Sequence, residues 1–265
     1  MLARKQGVRI PEQVPGSVPP REVMRALGVP VVLKNKTGAA GAGVRIVDTQ
    51  AEIESIAATF EDPGDFYFER FIAGDVMSYA AMADADGPVQ ELTYRGAAPP
   101  LHPTGSPTAY EVVEDRALLK LGRAMSEGIG ISGAINVQAI RDRAGNHWMI
   151  DLNLRPFGGM LSYDQSQFDT AAGYLYSVGL TEDPPVHATA PLGLQVSVFP
   201  MDAEELALTG RYWAALRHFA RTAPSFREVF GVRYLVFAMF SGVAFKLDNL
   251  IRRKRSNRRR RDGID

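Results

Sequence analysis

Residues 131–160 read ISGAINVQAIRDRAGNHWMIDLNLRPFGGM. Two runs rich in apolar and β-branched residues, Gly133 to Arg141 and His147 to Leu154, flank the polar stretch Asp142-Arg143-Ala144-Gly145-Asn146, which is the pattern of a β-hairpin. A turn centred on Ala144-Gly145 sets a register in which residues whose numbers sum to 289 face one another. Gln138 then lies opposite Asp151, and Asn153 shares the face of Asp151 because side chains alternate along a strand. Arg155 follows just beyond. An Asp, an Asn and a Gln on one face suit Mg²⁺ holding phosphate oxygens, since the ion takes hard oxygen ligands and a guanidinium takes an anion in bidentate fashion. The same side chains also suit the solvated face of an edge hairpin, and so short a motif does not choose between the two.

Working outward toward the N-terminus, the pattern predicts a strand at Val8 to Ile10 and a helix capped by Ser17, carrying Pro19, Pro20 and Glu22 in its first turn and ended by Gly28. Pro30 to Leu33 reads as an apolar strand delivering Lys34. A glycine-rich loop from Asn35 to Gly43, with Gly38, Gly41 and Gly43, leads into a strand at Val44 to Val47. Glycines let backbone N–H groups approach anionic oxygens, and a lysine at the base of the loop adds a point charge, so this hairpin reads as a flap over phosphates. A flexible surface hairpin fits the same residues. Lys34 precedes the glycines and no Gly-Lys-Ser/Thr follows, which excludes a Walker A loop. Asp48 is expected to cap a helix with Ile53, Ile56, Ala57 and Phe60 at helical spacing. Phe66 to Ile72, Val76 to Asp84 and Val89 to Arg95 then read as three successive strands of an antiparallel meander.

The stretch from Gly96 to Ala109 is too rich in Pro and Gly for regular structure, and it places His102 on a loop, where a solvated imidazole is expected. Asp115 to Glu127 reads as a helix through Leu118, Leu119, Leu121 and Met125, ended by Gly128 and Gly130. Beyond the hairpin come a helical stretch to about Gly179, a strand at Leu194 to Phe199, and a helix capped by Asp202 whose Leu206, Trp213, Leu216 and Phe219 have the spacing of core residues.

The chain has 265 residues, 46% hydrophobic and 23% charged, and no cysteine, which describes an ordinary globular protein without disulfide or thiolate chemistry. Its formal net charge of +0 hides an asymmetry: residues 251–265 hold eight Lys or Arg and two Asp, hence +6, and the other 250 hold −6. No secretory pattern or spanning apolar run is visible, so a cytoplasmic setting is expected. The basic tail follows the apolar-rich segment Val232 to Ile251, a combination that suits either peripheral contact with the inner face of an anionic membrane or a solvated, disordered tail. Nucleic acid is not expected, because no aromatic residue is interleaved with the charges.

In order along the chain stand Pro30-Val31-Val32-Leu33-Lys34, the glycines from Gly38 to Gly43, Phe68-Glu69-Arg70-Phe71-Ile72-Ala73-Gly74, Gly133-Ala134-Ile135-Asn136-Val137-Gln138, and Asp151-Leu152-Asn153-Leu154-Arg155. This ordered set resembles the ATP-grasp superfamily, in the branch of carbamoyl-phosphate synthase large subunits and biotin carboxylases. The resemblance implies an α+β fold in which two α+β lobes clamp ATP. It places an ATP-grasp domain over 1–190, with a small lobe about 25–70 and a large lobe about 71–190; the residues beyond it read as a mostly helical C-terminal extension over 191–250 and a basic tail over 251–265, for which disorder is expected unless it meets a membrane. It implies ATP with Mg²⁺ or Mn²⁺ as cofactors. Lys34, Gly38, Gly41, Gly43 and Glu69 would hold the nucleotide, Gln138, Asp151 and Asn153 the metal, and Arg155 the transferring phosphoryl group.

The activity implied is a ligase that activates a small-molecule carboxylate as an acyl phosphate for attack by an amine or similar nucleophile. Two departures from the family pattern bear on it. Asp151 stands where a Glu is usual, and the acidic residue expected after Gly74 aligns with Val76 or is displaced to Asp75. The family's preceding α/β domain and first lysine are expected upstream of the Gly7-Val8-Arg9-Ile10-Pro11 segment, which points to a longer reading frame, a partner chain that supplies them, or a degenerate relative. A non-catalytic ATP-binding or regulatory subunit and a truncated remnant therefore stand beside the ligase as readings.

Overall fold

The computed structural model describes residues 2–37, 43–97, 107, 109–156, 169–186, 190–197, 210–214, 216, 217 and 220. The chain divides into a compact unit Met1–Val196 and a second unit Ser197–Asp265. The first unit carries two sheets, and every pairing described in them is antiparallel. Antiparallel sheets with segregated helices make the fold α+β.

The first sheet has the order β1-β4-β2-β3, from β1 (Gln13–Pro15), β2 (Val31–Asn35), β3 (Val44–Val47) and β4 (Phe66–Arg70). Alternation divides it into two faces. Val31, Leu33, Val47, Phe66 and Phe68 are buried on one face with Val23 and Leu27 of α2 (Pro20–Leu27) and Ile53 of α3 (Gln50–Ala57). Gln13, Lys34, Tyr67 and Glu69 line the other, since Lys34 pairs with Tyr67 and Gln13 with Glu69. Arg70 fixes the end of β4: its guanidinium donates to the carbonyls of Leu27 and Ala26, each at 3.0 Å, and pairs with Glu12 at 2.6 Å. A cation on the last carbonyls of α2 is the favoured sign there.

The second sheet has the order β10-β7-β6-β5-β8-β9, from β5 (Gly74–Asp84), β6 (Gly87–Gly96), β7 (Ala109–Val113), β8 (Gly133–Asp142), β9 (His147–Asn153) and β10 (Gln195–Ser197). Met77, Tyr79, Ala81, Ile135, Val137 and Ala139 form its apolar face, packed against Leu118 and Met125 of α4 (Arg116–Ile129) and against Ala3 and Val8. Gly122 permits that contact, because a Cβ there would lie 2.2 Å from Cγ of the fully buried Tyr79. The opposite face is covered at one end by α5 (Thr170–Ser177), whose Tyr174 packs on Met82 and Ala134 and whose Gly173 leaves room for Gln90.

Several local expectations shift. Val8 to Ile10 is not a strand: one bond, from Met149 N to Arg9 O at 2.9 Å, ties it to β9, and Pro11 has no N–H to extend a ladder. The pairing strand is β1, and α1 (Leu2–Lys5) precedes it. Helix α2 begins at Pro20 with Pro19 as its N-cap, so Ser17 does not cap it; Gly28 does end it, at φ 77°. Thr49 rather than Asp48 caps α3, because Thr49 accepts from Glu52 N while the Glu52 carboxylate accepts from the amides of Thr49 and Asp48, a capping box. The strand at 66–70 does not form a meander with its successors. Phe71-Ile72-Ala73 carries the chain from the first sheet to the second, and the meander is β5-β6-β7. His102, most of the loop 96–109 and the Asp202 cap lie outside the described residues. In the second unit Trp213 is 81% exposed and Leu216 58%, so these two do not form the expected core, while Leu206 and Phe219 lie outside the described residues.

Candidate functional site

The hairpin β8–β9 keeps the expected register over three pairs, Asn136 with Asn153, Val137 with Leu152 and Gln138 with Asp151. Beyond them it slips by one: Ala139 pairs with Met149, and Ile150 has no partner. This β-bulge lets both Met149 and Leu152 pack on the apolar face while Asp151 and Asn153 remain on the other. It also releases the carbonyl of Ile150 from the ladder, and that oxygen accepts from Lys34 Nζ of the first sheet at 2.9 Å.

Lys34 is the pivot of the site. Its ammonium forms an ion pair with Glu69 Oε1 at 2.7 Å, with side chains 12% and 3% exposed, and Gln13 Nε2 donates to the other Glu69 oxygen at 3.0 Å. A buried carboxylate needs such partners, because desolvating an unpaired charge costs several kcal/mol. Tyr67, opposite Lys34, completes this wall; its phenol is pushed up to about 12 by burial and then by the charges of Glu69 and Asp151. The polar faces of the two sheets thus meet, one presenting Lys34, Glu69, Gln13 and Tyr67, the other Asp151 and its neighbours.

On the second wall Asp151 is exposed, and Asn153 Nδ2 donates to Asp151 Oδ2 at 2.9 Å. Gln138 and Asn136 share their face. Asn136 is buried and donates to Tyr79 O at 3.1 Å and to the Tyr94 hydroxyl at 2.9 Å, so it braces β8. The hairpin's far end is closed by Asp142, which accepts from the amides of Ala144 and Asn146, from Asn146 Nδ2 and from Trp148 Nε1. These bonds, Trp148 first, hold its carboxyl down at about 2. On the apolar side Asp115 caps α4 through Leu118 N and meets the buried His147 Nε2 at 2.9 Å, which pins the start of β9.

Of the residues expected from sequence, Lys34 and Glu69 are joined directly, and Gln138, Asp151 and Asn153 share one face beside them. Arg155 is exposed, with its guanidinium on the carbonyl of Pro156 at 3.1 Å. Gly43 closes the base of its loop by accepting from Asn35 N at 2.9 Å, while Gly38 and Gly41 lie outside the described residues. The sequence reading missed Gln13, Tyr67 and the Ile150 carbonyl. Tyr67 was legible in the alternation Phe66-Tyr67-Phe68-Glu69, and the bulge in the break of parity between apolar Met149 and polar Asp151.

The donor set fits a hard divalent cation that brings ligands of its own. Among the described residues no group of three or more His, Cys, Asp or Glu could cage a metal. One carboxylate and two amides on a strand face match the way Mg²⁺ is held, through one or two carboxylates with phosphate and water completing the octahedron.

No protein-family model matches the chain. Solved structures do share its fold. A carboxyaminoimidazole ribonucleotide synthase from Aspergillus clavatus, solved with ATP, superposes with a TM-score of 0.61 at 15% identity over 72% of this chain and 52% of that one. The biotin carboxylase domain of 2-oxoglutarate carboxylase from Hydrogenobacter thermophilus, solved with MgADP, ADP and bicarbonate, gives 0.56 at 15% over 73% and 47%. Biotin carboxylase from Campylobacter jejuni gives 0.54 at 17% over 69% and 45%. The fold is therefore the ATP-grasp fold, and the chain spans about half the length of these proteins. Among the described residues no helix is long and apolar enough to cross a membrane.

Proposed function

We propose that the chain is the nucleotide-clamping part of an ATP- and Mg²⁺-dependent ligase joining a carboxylate to an amine or similar nucleophile through an acyl phosphate. The observation that carries this is the meeting of two polar sheet faces, in which Lys34 reaches from the first sheet to the backbone beside Asp151. The first sheet then forms the small lobe, which β1 extends to before residue 25, and the second sheet forms the large lobe, which β10 extends to beyond residue 190. Mg²⁺ would neutralise charge on the transferring phosphoryl group. In this reading Gln138, Asp151 and Asn153 hold it, Lys34 and Gly43 border the phosphates, and Arg155 counters the charge that develops in transfer. Glu69, held by Lys34 and Gln13, fixes the wall against which the nucleotide lies. Transfer to a carboxylate releases ADP, and attack by the amine releases phosphate.

The reading requires Mg²⁺-dependent binding of ATP, followed by calorimetry on the full chain. Asp151→Ala should weaken binding in Mg²⁺ by about 10-fold or more and leave the weak binding in EDTA unchanged. Equal affinity of both proteins in Mg²⁺ would sink it. The single carboxylate of the metal face favours a second reading, nucleotide binding without turnover; absence of ADP release across a panel of carboxylates, with binding intact, would select it. A partner chain that supplies a preceding α/β domain belongs to the same proposal, as does contact of the basic tail with an anionic membrane.

A further inference from the structure

Tyr67 has no part in the metal shelf or in the Lys34–Glu69 pair, yet it shares the sheet face of that pair and lies within electrostatic reach of Asp151. Register places it beside Lys34, and alternation places it on the face of Glu69, two residues from the crossing at 71–73. From Glu69 to Tyr67 the strand runs roughly 7 Å away from that crossing, toward the edge where Asn35, paired with Phe66, leads into the glycine-rich segment. Across the cleft the same ring feels the charge of Asp151. Lys34, its neighbour, bonds to the residue next to Asp151. Tyr67 therefore faces the position where an anion held by the metal shelf would sit.

The group presented there is unusual for its setting. Two carboxylates, Glu69 on its own sheet face and Asp151 on the facing sheet, act on it, and Glu69 already balances the charge of Lys34. A tyrosine phenol is protonated through the physiological range, and burial and those two carboxylates move its ionisation further from it. A protonated phenol is a neutral hydrogen-bond donor, which an anion needs between two negative charges.

On the premise that the cleft binds Mg·ATP, we infer that the Tyr67 hydroxyl is a ligand-contacting group that donates to a non-bridging oxygen of the nucleotide's terminal phosphates. Its contribution belongs to the phosphate end, so it should be felt by ATP and not by adenosine.

The test compares the full-length wild type with Tyr67→Phe, which keeps the ring and removes the donor, by titration with Mg·ATP and with adenosine. The expected result is a loss of about tenfold or more for Mg·ATP, with adenosine affinity and the thermal unfolding midpoint unchanged. Equal Mg·ATP affinity in the two proteins overturns the inference, and so does a parallel loss for ATP and adenosine, which would mark a structural role. If Tyr67→Phe does not fold, Tyr67→Met, which also lacks a donor, carries the same comparison. A wild type that fails to bind Mg·ATP refutes the nucleotide reading itself, a result distinct from binding by wild type and variant alike.

Discussion

Asp142 shows how one side chain can set the geometry of a site at a distance. Its two oxygens gather the donors of Ala144, Asn146 and Trp148, so the turn that joins β8 to β9 is held by a carboxylate rather than by glycine conformation alone, although Gly145 does take φ 81°. The polar sequence at 142–146 made the turn legible; that Trp148 would reach back to close it was not, because indole N–H partners are chosen by packing. The folded-state carboxyl titrates at about 2 against an ordinary 3.8, so its stabilisation is complete above the unfolded value and is lost as pH falls through the folded one. Asn at this position would keep one acceptor and turn an amide donor toward donors. Asp142→Asn should therefore lower the urea midpoint at neutral pH, and the gap from wild type should narrow as pH drops from 4 toward 2. A gap that stays constant across that window would show that the ionised form is not what closes the turn.

At the scale of elements, the hairpin was legible in outline because alternation and turn chemistry act locally, whereas β1 and β7 were missed, being short strands of three and five residues, β1 with its partner β4 more than fifty residues away and β7 set off from β6 by the Pro- and Gly-rich stretch. The division of β4 and β5 between two sheets was equally hidden, since the linker Phe71-Ile72-Ala73 resembles any short connection until each strand's other partner is known. The bulge at Ile150 is the element-level device that joins fold to site. Deleting Ile150 would restore an unbroken ladder, with Met149 and Leu152 still on the apolar face and Asp151 and Asn153 still on the polar one. What would go is the carbonyl that Lys34 uses. The expected result is a folded protein in which the amides of β2 and β4 exchange faster with deuterium and Mg·ATP binds more weakly. Exchange and affinity equal to wild type would mean that the cross-sheet bond has no part in holding the cleft.

For the molecule as a whole, the order of motifs was readable in one dimension, but the convergence that makes a site was not. Lys34 and Ile150 are 116 residues apart, and no periodicity foretells that an ammonium will cross between sheets to a bulged carbonyl. Charge distribution, by contrast, is a whole-chain property that sequence states outright. With +6 on residues 251–265 and −6 on the remainder, the formal +0 conceals a basic C-terminal stretch, and our proposal is that this stretch seeks anionic surfaces. Eight Lys or Arg side chains near an anionic bilayer gain on the order of 1 kcal/mol each before ordering costs, an attraction that falls away within a Debye length of about 10 Å at 0.1 M salt. The full chain should therefore sediment with phosphatidylserine vesicles at low ionic strength, release on raising salt to about 0.5 M, and ignore zwitterionic vesicles. A chain ending at Leu250 should not sediment under any of these conditions. If the two chains sediment equally, the tail is not the membrane-seeking element, and the charge asymmetry has to be accounted for by solvation alone.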